Sequence, residues 1–301
     1  MRIVLAGATG FLGRPLLARL TAAGHALTVL TRRPGRLPHL TERAWDPDDH
    51  AGPSAAALDG ADAVVNLAGA SIAGGRWTPR RKLALHESRM LPTRSLVAAM
   101  ARCERRPAVL LNSSAIGYYG ARGDETVTEA DEPGDDFLGR LARDWENAAL
   151  AAEALGTRVV LVRTGVALSP DGGALAPMLL PFRLGLGGPI GSGRQYVSWI
   201  HREDWVSLVA FLLAHPSATG PVNATAPDPV TQATFARTLA RVLRRPAIFR
   251  VPGALLRLAM GEMADALVIS GQRVVPARAL EMGFRFRFPD LEPALRDLLR
   301  S

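Results

Sequence analysis

The stretch Arg2-Ile3-Val4-Leu5-Ala6-Gly7-Ala8-Thr9-Gly10-Phe11-Leu12-Gly13 decides the fold class of this chain. Arg2 to Ala6 carries the apolar run of a buried strand, and Arg14 to Ala23 carries a helical pattern that ends at Gly24. Between them stand Gly7, Gly10 and Gly13, in G-x-x-G-x-x-G spacing. A tight strand-to-helix turn needs residues without Cβ, and the following helix start offers free N–H groups and a positive dipole end. That combination seats a pyrophosphate, and the last glycine lets the helix lie close to the sheet. The spacing departs from G-x-G-x-x-G, but its place at the head of a βαβ unit fits the same chemistry. The expected cofactor cradle is Gly7, Thr9, Gly10, Phe11, Leu12 and Gly13.

The second strand, Ala26 to Thr31, names the cofactor. NAD-binding chains place an acidic residue near the end of this strand to hold the ribose 2′-hydroxyl. Here the strand runs into Thr31-Arg32-Arg33-Pro34, with no acid. Two guanidiniums offer planar paired donors and permanent charge to a 2′-phosphate. Thr31, Arg32 and Arg33 are therefore expected to bind NADP(H).

Further strand-like runs follow at Ala63 to Ala68, Ala108 to Asn112 and Arg158 to Arg163, with helical stretches between them. This alternation predicts an α/β fold, a Rossmann-type doubly wound parallel sheet with a smaller C-terminal substrate or cap region. The expected division is a cofactor domain over 1–230 and a cap region over 231–301, with 165–200 contributing to the substrate pocket. Gly172-Gly173, Pro177, Pro181 and Gly185 to Pro189 predict loops. His201 to Ala214 reads as a helix. The segment from about Pro252 mixes a helical stretch, Val274-Val275-Pro276 and a closing helix from Leu291.

Composition bounds the rest. The 301 residues are 48% hydrophobic, with no apolar run long enough to span a membrane. The opening residues are expected to be a buried strand rather than a cleavable signal, and Cys103 is the sole cysteine, so no internal disulfide and no cysteine-based zinc site are expected. A cytoplasmic location is the expectation, and no metal is expected. The net charge of +8 raises nucleic-acid binding, but the arginines are scattered and their runs are broken by apolar residues, which argues against it. Lys82 is the only lysine.

These residues resemble the extended, epimerase-like branch of the short-chain dehydrogenase/reductase superfamily. Asn66-Leu67-Ala68-Gly69 looks like the turn after the fourth strand, and Asn112-Ser113-Ser114-Ala115 like the Ser-rich end of the fifth. More narrowly, the chain is similar to YfcH-type epimerase family proteins. That likeness rests on Asn66 to Gly69 leading to Arg76-Trp77-Thr78, Lys82 and Ser88-Arg89, on Ser113 to Gly120, Trp145-Glu146 and Arg163 to Val166, and on the segment from about Pro252, while Val197 to Asp204 belongs to the broader superfamily likeness. The resemblance implies NADP(H) binding, with Asn66, Leu67, Ala68, Gly69 and Ser113 joining the cofactor site. It does not imply a particular substrate; a small polar substrate is the expectation, a nucleotide sugar being one candidate, and a homodimer is left open.

The superfamily's Tyr-x-x-x-Lys pair is absent. Counting back from Trp145-Glu146, its positions hold Leu138 and Ala142. A phenol of ordinary pKa near ~10 is a poor acid or base at neutral pH without such help. The catalytic candidates that remain are Ser114, Tyr118 and Lys82. Lys82, His86, Arg89 and Thr93 share one face if their segment is helical, although Pro92 interrupts the pattern. Arg89, Tyr119, Arg163, Arg194 and His201 are substrate-side candidates. The expected activity is an NADP(H)-dependent oxidoreductase or epimerase; the alternative is a non-catalytic NADP(H)-binding sensor or scaffold.

Overall fold

The computed structural model describes residues 1–37, 39–47 and 55–300. Seven strands form one parallel sheet: β1 Arg2–Ala6, β2 Ala26–Thr31, β3 Thr41–Ala44, β4 Ala63–Asn66, β5 Val109–Ala115, β6 Arg158–Thr164 and β7 Gly220–Ala224. The principal helices are α1 Gly13–Ala22, α2 Pro79–Ala101, α3 Phe137–Leu150, α4 Leu175–Arg183, α5 Arg202–Ala214, α6 Gln232–Leu243, α7 Gly253–Met260 and α8 Leu291–Leu298. Across the sheet the order is β7-β6-β5-β4-β1-β2-β3. The winding reverses between β1 and β4, which opens a crevice at the carboxyl ends of those strands.

Period-two alternation builds both faces of the sheet. Ile3, Leu5, Leu27, Val29, Val65, Leu111, Val160 and Val162 pack under α1 and α5. Their neighbours Val4, Ala6, Leu30, Val64, Leu110, Val159 and Leu161 pack under α2 and α3. A third cluster joins α4 and Trp199 to α6 and α8 through Leu179, Phe182, Phe235, Leu239 and Leu295. It ties the C-terminal segment to the 168–199 region.

Several elements depart from the sequence expectations. Pro177 and Pro181 lie inside α4 rather than in a loop. Burial of Leu175, Leu179 and Phe182 on one helical face overrides the proline signals, and Pro177 falls in the first turn, where its missing N–H costs little. Helix α2 runs unbroken through Pro92, anchored by buried Leu85, Met90, Leu96 and Met100. Strand β3 reads weakly because it is a short, largely exposed edge, and β7 because Gly220 and Pro221 open the other edge strand. Helix α6 was not anticipated, although Phe235, Ala236, Leu239 and Ala240 carry its apolar stripe.

Candidate cofactor cleft and the network behind it

The glycine turn has the shape its chemistry requires. Gly7 has φ +77°, and a Cβ there would lie 2.6 Å from the Leu67 carbonyl carbon and oxygen. A Cβ on Gly13 would lie 2.4 Å from the Gly7 oxygen. The turn therefore nests against the β4 end and against itself, with Gly10 N–H donating to the Gly7 carbonyl at 3.1 Å. Phe11 leaves the turn sideways and packs on the Gly172-Gly173 hairpin, where a Cβ on Gly172 would stand 2.5 Å from its ring. Leu12 caps α1 and packs on the core beneath.

A cavity of about 660 Å³ opens over this turn. Gly7, Thr9, Gly10, Thr31, Arg32, Arg33, Leu67, Ala68 and Gly69 line it. Sequence reasoning missed the further lining residues Leu30, Arg36, Trp45, Pro47, Ala70, Ser88 and Pro92. Arg36 carried a readable signal, being the third arginine of Arg32-Arg33-Pro34-Gly35-Arg36. The loop bearing these arginines is fixed from behind: the Glu42 carboxylate accepts from Gly35 N–H at 2.7 Å and Leu37 N–H at 3.1 Å. The three guanidiniums are exposed at one end of the cavity, and no carboxylate among the described residues pairs with them. That end suits a dianionic 2′-phosphate.

Asn66 stands behind the cavity wall rather than in it. Fully buried, it donates to Thr93 Oγ1 at 2.9 Å and to Asn112 Oδ1 at 2.7 Å, and accepts from Ala68 N–H. Thr93 also accepts from Trp145 Nε1, and Asn112 donates to the Ser113 carbonyl. This network holds the ends of β4 and β5 against α2 and α3. Ser113 is half-buried at the β5 end.

The Ser-rich end of β5 meets a buried ion pair. Ser114, 4% exposed, donates to Glu146 Oε1 at 2.5 Å. Arg163 grips the same carboxylate with two bonds of 2.8 Å and donates to Tyr119 Oη at 2.9 Å. Tyr119 in turn donates to Asn223 Oδ1 at 2.7 Å. Burial opposes the charge on Arg163, but the Glu146 carboxylate and Tyr119 outweigh it and hold its pKa above the ordinary value. Burial pushes the Tyr119 phenol up to about 12. Tyr119 and Arg163, expected on the substrate side, are thus placed in the interior, because each satisfies the other's buried polar atoms. The Ser114 hydroxyl is likewise committed to Glu146. Tyr118 differs: its ring lies against the Arg163 guanidinium, 3.5 Å from centroid to Cζ, and its hydroxyl has no hydrogen-bond partner among the described residues.

The other candidates scatter. Leu138 packs against Gly117 and, with Trp77, Leu85, Phe137 and Met263, forms an apolar cluster where the Tyr-Lys pair would stand. Lys82 lies over the Phe137 ring of this cluster, and its Nζ is spent on Glu262, donating to both carboxylate oxygens at 2.8 and 2.6 Å. His86 pairs with Asp144. Arg89 sits beside Gly69, donates to the Leu85 and Ala70 carbonyls and to Ser88, and faces no carboxylate among the described residues. Burial, then repulsion from Arg81, lowers its pKa to about 10. Arg194 is exposed. His201 is in the interior: Nδ1 accepts from Glu203 N–H as the cap of α5, and its ring stacks on Phe288 at 4.0 Å. No group of His, Cys, Asp and Glu among the described residues could hold a metal ion.

Residues 3–224, the whole central sheet, match the model of the NAD dependent epimerase/dehydratase family. The chain belongs to that family. Residues 251–298 match a second model, described as a domain of unknown function. The Mycobacterium tuberculosis epimerase family protein MT2273 is 43% identical over 298 residues, covering 97% of this chain and 96% of its own. The crystal structure of human epimerase family protein SDR39U1 with NADPH superposes with a TM-score of 0.90 at 35% identity, over 99% of both chains. A nucleoside-diphosphate sugar epimerase from Corynebacterium glutamicum superposes with a TM-score of 0.81 at 33% identity, over 99% of this chain and 58% of that one. These epimerase family likenesses agree with the cleft at the β1–β4 switch point. No described helix is long and apolar enough to cross a membrane.

Proposed function

We propose that the protein is an NADP(H)-dependent oxidoreductase or epimerase acting on a small polar substrate, with a nucleotide sugar as one candidate, in a cytoplasmic setting. The observation that carries the cofactor reading is that one cavity is lined both by the glycine cradle and by the Arg32, Arg33 and Arg36 arm. The NADPH in the human relative supports it. Gly7 to Gly13 would hold the pyrophosphate, the three arginines the 2′-phosphate, and Leu67 to Gly69 the opposite wall. When bound, the nicotinamide supplies or accepts a hydride.

The chain's own residues would move the proton. Tyr118 is the candidate donor, because its hydroxyl is unspent while its ring is pinned by Arg163. Ser114, Glu146 and Arg163 would act through Tyr118 as positioning residues, since their polar atoms are consumed by one another. Arg89, a half-buried cation beside Gly69, and Arg194 would meet an anionic group of the substrate. Lys82 would act by anchoring the segment at Glu262 rather than by touching substrate. Purified protein with NADPH should be screened against sugar nucleotides, quinones and aldehydes. Turnover that falls at least ~100-fold in Tyr118→Phe while NADPH binding persists is the expected result. Unchanged turnover in that variant would remove Tyr118 from the mechanism.

One observation favours a second reading, a non-catalytic NADP(H)-binding sensor or scaffold. Leu138 and Ala142 fill the usual catalytic positions, and Lys82 is spent on Glu262. Tight NADPH binding without oxidation by any of the three substrate classes would favour it.

A further inference from the structure

Two stretches of the chain contain no acidic residue, 172–202 and 229–261. The first holds three arginines and the second six. The fold lays the two side by side. Arg245 Nε donates to the Arg183 carbonyl at 2.9 Å, Val251 N–H to the Pro189 carbonyl at 2.9 Å, and Gly191 N–H to the Val251 carbonyl at 2.9 Å. Among the described residues, seven of the ten large apolar side chains left exposed lie on these two stretches. Ile248 is 76% exposed, Leu258 75% and Leu180 67%. Helix α7 buries none of its residues. The loop before it, 244–250, is exposed throughout except at Ala247.

The loop's order is informative. Ile248-Phe249 stands between Arg244-Arg245 and Arg250. Arg241 and Arg257 pair with Glu292 and Asp265, acids from outside both stretches. Arg183, Arg244 and Arg250 have no side-chain partner among the described residues. A scattered exposed leucine needs no explanation, but a contiguous apolar face rimmed by unpaired cations does. A second copy of the chain is a poor occupant, since it would set the unpaired arginines against one another while Glu292 and Asp265 are already spent on Arg241 and Arg257. Contact with hydrocarbon requires depth of insertion, not a complementary shape, while the guanidiniums snorkel to phosphate level.

We propose that this face docks the protein peripherally on an anionic lipid bilayer. Ile248 and Phe249 enter the interface together with Leu184 and the α7 leucines, and the unpaired arginines meet lipid phosphates. The docking is independent of the cofactor reading.

Vesicle co-sedimentation tests it with the full chain. Vesicles of phosphatidylcholine containing about one third phosphatidylglycerol should pull the protein down, pure phosphatidylcholine should not, and ~0.5 M salt should release it. Ile248→Ser with Phe249→Ser, and separately Arg244→Glu with Arg250→Glu, should each weaken anionic-vesicle binding by about tenfold or more. NADPH affinity should stay unchanged in both variants, which shows that they are folded. Absence of anionic-vesicle binding, or wild-type binding by the serine variant, would overturn the proposal. A concentration-dependent dimer that the serine variant abolishes would overturn it in favour of a second copy.

Discussion

At the scale of single residues, the Glu146–Arg163 pair is an ion pair whose two side chains are both buried. Its two parallel bonds of 2.8 Å lie in the interior, with Ser114 on one side and Tyr119 on the other. A buried pair loses more when one partner is removed than it contributes intact, because the survivor is left charged and unpaired. Arg163→Met should therefore lower stability by about 3–5 kcal/mol in urea unfolding. Arg163→Met combined with Glu146→Leu should recover part of that loss; a double variant less stable than the single would show that the pair itself is the net stabiliser. Gly7 makes a separate prediction. Gly7→Ala forces a Cβ onto the Leu67 carbonyl at positive φ, so it should lower the melting temperature and abolish NADPH binding together. Retained NADPH binding would mean that the turn does not form the cofactor seat.

At the scale of elements, the contact between α2 and the C-terminal segment is local and reportable. Lys82 and Glu262 are partly exposed, so their pair contributes little stability, within about 1 kcal/mol. Its effect is to cover the amine. As Lys82 is the only lysine, amine-reactive labelling read by mass spectrometry reports this contact alone among side chains. Glu262→Gln should raise the labelling rate several-fold with little change in melting temperature; equal rates would mean that the segment does not rest on α2. The elements also divide by how legible they are. Strands β1, β2, β4, β5 and β6 could be read because buried parallel strands are continuous apolar runs. So could the cradle and Arg32-Arg33, whose chemistry depends on residues adjacent in sequence. Helix α4 was hidden because its prolines mimic a loop while its support comes from Trp199, Phe235 and Leu295, far away in the chain. The Ser114–Glu146–Arg163–Tyr119 network was hidden for the same reason: three separate elements must meet before any of its bonds exist. His201, expected at the substrate, is a helix cap, a role that needs only a side-chain acceptor ahead of the helix.

At the scale of the whole molecule, pH and cofactor binding report the fold. Burial lowers the pKa of His201 below its ordinary value, although Glu203, Asp204 and Asp297 oppose this. The folded state therefore keeps the imidazole neutral where the unfolded chain already takes up a proton. Stability contributed by this group is complete above about 6.5 and is lost as pH falls through the depressed folded pKa. Between pH ~7.5 and ~5.5 the wild type should lose more stability than His201→Gln in thermal or urea unfolding; parallel curves would contradict that. The family model carries NAD in its description, whereas the end of β2 offers arginines and no acid. We propose that this arm selects the 2′-phosphate. Equilibrium titration of NADPH and NADH against the wild type and against Arg32→Ala with Arg33→Ala tests it most directly. The wild type should bind NADPH more tightly than NADH, and the double variant should lose about tenfold to a hundredfold in NADPH affinity with little change for NADH. Equal affinities in the wild type, or equal losses in the variant, would contradict it.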